Sequence, residues 1–393
     1  MIALFLAPFY ILINLYLAHW ILRWTGACHR LFGTKAFRAV FIAVYALVAS
    51  APLTGFLVRS PYALRKALLQ TGNYWFGWML YLILAVLAVE LGLFLVRRMR
   101  GKDFAQMQQV RRVQGGIALA LVCAVSLYGM AHAGRLYVTD YEVAVQGAGA
   151  DMTVALVADL HLGYSTDPAY IERAVKTVND MQPDLVVIAG DIFDNDFEAV
   201  PARDRIAAAL ASLDSTYGVY DCWGNHDLSE PILAGFTWDD ADADKDDPRM
   251  TAFLEQAGVT LLEDEVVTLG NGVQLAGRKD PSRSKKLDET RLDAAGLLAA
   301  CDADAPVFVI DHQPDELDAL AQAGADLVLS GHTHDGQLFP GNLLMACLWD
   351  NPCGHVQKGR MHSVVTSGLG VWGPDMRVGT RSEVVSVTVH FGE

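Results

Sequence analysis

Charge is scarce in this 393-residue sequence: 19% of residues are Asp, Glu, Lys or Arg, 52% are hydrophobic, and the mean hydropathy is +0.26. Soluble domains carry about 25% charged residues, so this balance excludes a disordered chain and points to a membrane. Acids are nearly missing from residues 1–134, where only Glu90 and Asp103 stand against 13 Lys and Arg, a net charge of +11. The remainder holds 17 bases against 43 acids, a net of -26. That second figure disfavours nucleic acid as a partner, because a duplex-binding surface needs a basic stripe. Cysteine is sparse as well. None of Cys28, Cys123, Cys222, Cys301, Cys347 and Cys353 forms a C-x-x-C pair, which excludes a zinc ribbon or a thioredoxin-like motif. In an exported domain Cys347 and Cys353 could form a bridge or stay free, and spacing alone does not choose.

What fills the first third is apolar. Four stretches, Ile2–Leu22, Ala39–Val58, Tyr74–Val96 and Gly116–Ala133, each approach the ~20 residues a helix needs to cross a bilayer core. Trp20, Trp24, Tyr74, Trp75 and Trp78 crowd their ends, where interfacial rings belong. The first stretch lacks the basic start and small-residue cleavage site of a signal peptide, and three further spans follow it. Arg23, Arg30, Lys35 and Arg38 follow span one, and Arg97, Arg98, Arg100, Lys102, Arg111 and Arg112 follow span three. The loop after span two carries only Arg59, Arg65 and Lys66. The positive-inside rule therefore predicts cytoplasmic first and third loops, with both termini and the acidic half extracytoplasmic at the plasma membrane. Glu90 inside span three is either a functional group or a carboxylate bonded to a neighbouring helix.

From Tyr137 onward the apolar runs shorten, and residues 135–393 read as a second domain. Strands are expected at Thr153–Val157, Leu185–Ala189, Gly218–Trp223, Val307–Ile310 and Leu327–Ser330, with helices at Tyr170–Met181 and Ile206–Leu213. Each strand runs into a loop bearing a metal-capable side chain. In α/β sheets such loops collect at one end, where ligands bind. The dense acidic run Asp239–Arg249 lacks the spacing and glycine of a calcium loop and reads as a solvated surface segment.

Pooled, the loop residues are Asp159, His161, Asp191, Asn225, His312, His332 and His334. Carboxylate, imidazole and amide oxygen without thiolate suit Mn, Fe or Zn in a catalytic rather than a structural site. They are too many for one ion and enough for two divalent metals sharing a carboxylate, an apparatus used for in-line displacement at phosphorus.

In order, these motifs read Asp159-Leu-His161, Gly190-Asp191-Ile-Phe-Asp194, Gly224-Asn225-His226-Asp227, His312 and Gly331-His332-Thr-His334. The series resembles the calcineurin-like metallophosphoesterases over roughly two thirds of the chain. Gln337 and the segment Gly368–Arg377 resemble the membrane-tethered bacterial branch, whereas Asp335 stands where that branch has glycine. The resemblance implies a four-layer α/β domain, two β-sheets flanked by helices, behind the four-helix membrane domain. It also implies that Asp159, His161 and His334 hold one metal, that Asn225, His312 and His332 hold the other, and that Asp191 bridges them. His226 would serve the leaving oxygen, with Asp227 orienting it. Asp194 is either a similar support or a turn cap. Arg377 and Arg381 are candidates for binding substrate phosphate or for surface salt bridges.

The function expected is a membrane-anchored two-metal phosphoesterase. It would cleave a phosphodiester or pyrophosphate bond, in a lipid-linked or envelope substrate, by attack of a hydroxide held between the metals. The alternatives are an inward-facing hydrolase of nucleotide-linked lipid, such as a UDP-diacylglucosamine, and a non-catalytic metal-binding membrane scaffold.

Overall fold

The computed structural model describes residues 2–100, 107–147, 149–233, 236–237 and 245–392. Residues 239–244 of the acidic run therefore lie outside the described residues. The chain divides into two compact units, one containing residues 1–131 and the other most of residues 132–393.

The first unit is built on four long helices: α1 (Ile2–Cys28), α2 (Lys35–Leu57), α3 (Tyr62–Arg100) and α4 (Gln108–Ala133). All four are long and apolar enough to cross a membrane. Each extends past its apolar stretch because the flanking polar residues continue the helix. The 39 residues of α3 span about 58 Å, well beyond a hydrocarbon core of about 30 Å. Glu90 is bonded to two neighbouring helices: its carboxylate accepts from the Trp20 indole at 2.8 Å and from the Gln114 amide at 2.9 Å. An acid in the apolar layer is thus satisfied by neutral donors, the structural alternative of the two readings.

A short two-stranded ribbon pairs β5 (Ile232–Leu233) with β6 (Phe236–Thr237), and the second unit contains two six-stranded sheets. The first is ordered β1 (Leu136–Gln146), β14 (Ser382–Gly392), β2 (Met152–Val157), β3 (Leu185–Ile188), β4 (Val219–Asp221) and β7 (Thr260–Leu261). The second is ordered β12 (Gly354–Lys358), β13 (Met361–Val365), β11 (Leu327–Ser330), β10 (Val307–Ile310), β9 (Gln274–Gly277) and β8 (Glu265–Thr268). β2, β3 and β4 run parallel to one another, as do β9, β10, β11 and β13. Their Val-, Leu- and Ile-rich runs lack polar alternation because helices cover the outer faces.

Between the sheets Val154, Leu156, Leu185, Val187, Phe308, Ile310, Leu327, Leu329, Val385 and Val387 form one fully buried core. A second core lies under the helices Pro168–Asp180, Arg203–Leu210 and Pro248–Gln256, and a third under Ala294–Leu298 and Leu317–Ala323. Helix Pro168–Asp180 starts where Asp167 accepts from the Ala169 N–H, with proline at its first position. Its Ile171, Ala174, Val175 and Val178 face the sheet. All six cysteines are free, so Cys347 and Cys353 do not bridge.

The consequence of the inter-sheet core is that the two halves of the site share one foundation. Phe308→Ala, which empties a fully buried position between the sheets, is expected to cost about 3–5 kcal/mol. It should lower the urea midpoint for loss of the domain's near-ultraviolet circular dichroism.

Candidate metal centre

Every expected ligand lies just beyond the carboxyl end of a parallel strand. Asp159 and His161 follow β2, Asp191 follows β3, and Asn225 follows β4. From the second sheet, His312 follows β10, and His332 and His334 follow β11. Sharp turns are needed to point these side chains back over the strand ends. Asp159, His161, Asp191, His332 and His334 accordingly have φ of 55°, 44°, 53°, 73° and 50°. Left-handed backbone disfavours L-residues by roughly 1–2 kcal/mol each, a strain held by the surrounding fold.

Three groups of metal-capable side chains result, two made wholly of expected ligands and a third of His161, Asp194 and His226. Asp159, His161 and His334 form the first, and Asp191, His312 and His332 the second, each with one ligand atom per residue lying within 4.8 Å of the others. In the first, His161 Nε2 is 2.9 Å from His334 Nε2, which is 3.5 Å from Asp159 Oδ1. In the second, His312 Nε2 lies 3.2 Å from His332 Nδ1, from Asn225 Oδ1 and from Asp191 Oδ2. Asp191 Oδ2 is also 3.7 Å from His161 Nε2, so this carboxylate stands between the two clusters. The structure thus brings together all seven candidate ligands.

The backbone fixes which ring atoms face inward. His312 Nδ1 donates to the Ala189 carbonyl at 2.8 Å, which leaves the Nε2 lone pair for the centre. The carboxylate of Asp159 accepts the His332 N–H at 3.0 Å, and that of Asp191 accepts the His226 N–H at 2.7 Å. Glycine makes room for both acids. A Cβ on Gly331 would lie 2.5 Å from Asp159 Oδ2, and one on Gly224 would lie 2.2 Å from Asp191 Oδ1.

Electrostatics fit cations here. Asp159 and Asp191 are 0% and 1% exposed, and neither has a Lys or Arg partner among the described residues. Buried carboxylates are normally paired or coordinated. Burial lifts Asp159 to about 6. Burial opposes ionisation of Asp191 too, but the facing His312, His226 and His161 hold it well below the usual carboxylate range. His332 is pulled down to about 3, by burial and then by His312. His161 and His312 are shifted upward by the facing carboxylates, and the set of imidazoles around buried acids, nitrogen facing nitrogen, has the donor types divalent ions take.

The residues around the clusters divide the supporting work differently from the expectation. Asp227 does not orient His226. Its carboxylate accepts from the backbone N–H groups of Asp191 (2.9 Å), Phe193 (2.8 Å) and Gly224 (2.7 Å), so it pins two ligand loops to each other. The His226 ring instead meets Asn195 Oδ1 through Nδ1. Asn195 was not singled out in the sequence, although it directly follows Asp194 of the second motif. Asp194 Oδ1 lies 3.5 Å from His161 Nδ1 and 4.0 Å from His226 Nδ1, a support rather than a turn cap. Burial takes His226 down to about 4.

Arg377 is fully buried, and a guanidinium with no exposure is not placed to meet a substrate phosphate. It donates to the carbonyls of His334 (3.2 Å), Gly368 (3.2 Å) and Gly370 (2.6 Å), fixing the His334 loop against the Gly368 turn. Arg381 is exposed, with Nε 3.7 Å from Glu383 Oε2. This is the salt-bridge alternative. Asp311, beside His312, is clamped by Arg278 and Arg291, each at 3.1 Å.

A two-sheet α/β domain with grouped metal-capable side chains at its strand ends suits a metal-dependent hydrolase. Residues 152–336 match the calcineurin-like phosphoesterase family, and the chain carries a domain of that family, whose members are metal-dependent hydrolases. An uncharacterized metallophosphoesterase of Helicobacter pylori is 31% identical over 60% of this chain and 58% of its own length. A transmembrane protein with metallophosphoesterase domain from Danio rerio is 28% identical over 70% of this chain and 62% of its own. The chain thus spans about three fifths of the length of these relatives. A protein of Chlamydia trachomatis named UDP-2,3-diacylglucosamine pyrophosphatase LpxG is 22% identical over 48% of this chain and 64% of its own length.

If Asp191 serves both clusters, Asp191→Asn should weaken both. Elemental analysis of the purified protein is expected to give about two metal equivalents for the wild type and fewer than one for the variant. Loss confined to a single equivalent would assign Asp191 to one cluster only.

Proposed function

We propose that the protein is a membrane-anchored phosphoesterase that cleaves a phosphodiester or pyrophosphate bond in a lipid-linked substrate, with two divalent ions, Mn, Fe or Zn. The observation that carries this reading is Asp191 standing between two histidine-bearing clusters that open beside His226. Asp159, His161 and His334 would hold one ion. Asn225, His312 and His332 would hold the second, and Asp191 both. When bound, such ions make water nucleophilic at neutral pH and offset the negative charge developing on the phosphoryl oxygens.

The protein's own groups supply position and a proton path. Asn225, His226 and His332 are half-buried, whereas the other ligands are buried, so these three line the open edge where a substrate enters. His226, oriented through Nδ1 by Asn195, is the group beside that edge that can act on the leaving oxygen through its other nitrogen. Asp227 and Arg377 act only by positioning the ligand loops. Across the whole site, acids and imidazoles outnumber fixed cations, so substrate charge is to be met by the metals.

A lipid-linked substrate is supported by the short connection between membrane and domain. α4 ends at Ala133 and β1 begins at Leu136, so two residues tether the domain to the last span. The Chlamydia relative, named for a nucleotide-linked lipid, supports the same class and also the inward-facing alternative.

Two experiments test this. Mn²⁺-dependent hydrolysis of a chromogenic phosphodiester by the full chain in detergent is expected to fall about 10²–10⁴-fold in His226→Ala, with metal content unchanged. Asn195→Ala should give a smaller loss of kcat. An inactive wild type with both metals bound would favour the scaffold reading. Separately, protease added to sealed, right-side-out vesicles is expected to remove a C-terminal tag. A protected tag would reverse the orientation to the inward-facing one.

A further inference from the structure

The loop that carries His332 and His334 continues into a segment with no charged residue from Leu338 to Trp349 (LFPGNLLMACLW). Within it, Gly341–Leu348 forms a helix that buries none of its residues. Phe339, Leu343, Leu344 and Leu348 are 46%, 58%, 57% and 64% exposed. Elsewhere in the second unit, only Val138 and Leu292 among the described residues are large hydrophobic side chains left exposed. The patch is thus a concentration of exposed leucine on a domain whose net charge is -26, where isolated apolar groups would be ordinary and a cluster is not.

Its position ties it to the chemistry. The segment is fixed at both ends, at one to the tail segment and at the other to the metal loop. At one end, the Gln337 side chain exchanges two hydrogen bonds of 2.8 Å with the backbone of Trp372, and the Phe339 N–H donates to the Val378 carbonyl at 2.8 Å. At the other, the Trp349 ring packs edge-on against the His332 ring, with centroids 5.3 Å apart. Between these fixed points the helix presents leucine to solvent.

We propose that Phe339, Leu343, Leu344 and Leu348 insert among the acyl chains of the bilayer interface and bring a lipid's phosphoester to the metal centre beside His332. Two observations select lipid as the occupant. The chain that bears this helix also has four helices long and apolar enough to cross a membrane, with a two-residue tether to the domain. The segment also offers no charge or ion pair for a protein or nucleic-acid surface to read; it offers acyl-sized apolar area and an aromatic pair, Phe339 and Trp349, suited to an interface. The bilayer contact stands on these facts alone, whereas delivery of a lipid substrate rests on the phosphoesterase reading above.

Cys347 lies on this helix and is the exposed thiol among the six. An environment-sensitive fluorophore attached there in the full chain, reconstituted in phosphatidylglycerol–phosphatidylcholine vesicles, should be quenched by doxyl-labelled lipid and shielded from iodide. Cys347→Ser supplies the background. Quenching by iodide and not by doxyl lipid would overturn the proposal.

In the same vesicles, Leu343→Glu/Leu344→Glu/Leu348→Glu is expected to cut hydrolysis of a vesicle-borne phosphodiester about tenfold or more. A water-soluble chromogenic diester should be turned over within about twofold of wild type, which also reports that the variant is folded. Equal loss on both esters would mean that the helix merely supports the His332 loop, and would overturn lipid delivery. Doxyl quenching with no hydrolysis of either ester by the wild type would leave the bilayer contact standing and overturn the phosphoesterase reading instead.

Discussion

Two carboxylates buried with imidazoles, and no Lys or Arg among the described residues, as partners set the terms for this domain. Asp159 and Asp191 are buried where both sheets end; burial opposes the ionisation of both, and the facing imidazoles outweigh it at Asp191 but not at Asp159. The surroundings are arranged to hold them in place: backbone N–H groups from the His332 and His226 loops aim at their oxygens, and glycine replaces any side chain that would crowd them. The left-handed turns at five ligand positions follow from the same demand, since only such turns aim side chains from separate strands at one point. Without metal the region concentrates strain and buried charge. With metal, those costs become the geometry of a ready-made site.

Much of this was legible in the sequence because each ligand follows a short, continuous apolar run. β10 and β11 fall on the expected residues, and β2, β3 and β4 lie within two residues of expectation, since a strand buried on both faces leaves a clear signature. The seven candidate ligands converge for the same reason: once strand ends are located, parallel topology brings their loops together. Residues acting through space were not legible. The ring of His226 meets Asn195, a residue of another loop, while its sequence neighbour Asp227 turns away to the backbone of Asp191 and Phe193. Adjacency in the chain suggested the wrong partner.

Arg377 illustrates a different gap. An arginine in a glycine-rich tail of a phosphate-handling family invites a substrate role, and only burial reveals that its guanidinium is spent on three carbonyls. β1 escaped notice because its alternating exposure resembles a linker after the last span, and β14 because nothing nearby in sequence pairs with it. The run Leu338–Trp349 was visible as letters, yet its meaning depended on exposure, since the same residues in a core would call for no explanation.

The pairing of β1 with β14 has a consequence for biogenesis. Eleven residues, Leu136 to Gln146, lie in parallel register with Ser382 to Gly392, and β14 is also the strand that joins β1 to β2. The strand that leaves the last membrane helix is therefore attached to the sheet only through the final strand of the domain. During synthesis, the four helices would be in the membrane while β1 still presented bare backbone on both edges, waiting for β14, a strand far along the chain. Emergence of β14, rather than membrane insertion, would then be the event that seals the sheet, and a product truncated before Ser382 would be left with an open, adhesive strand after its last helix.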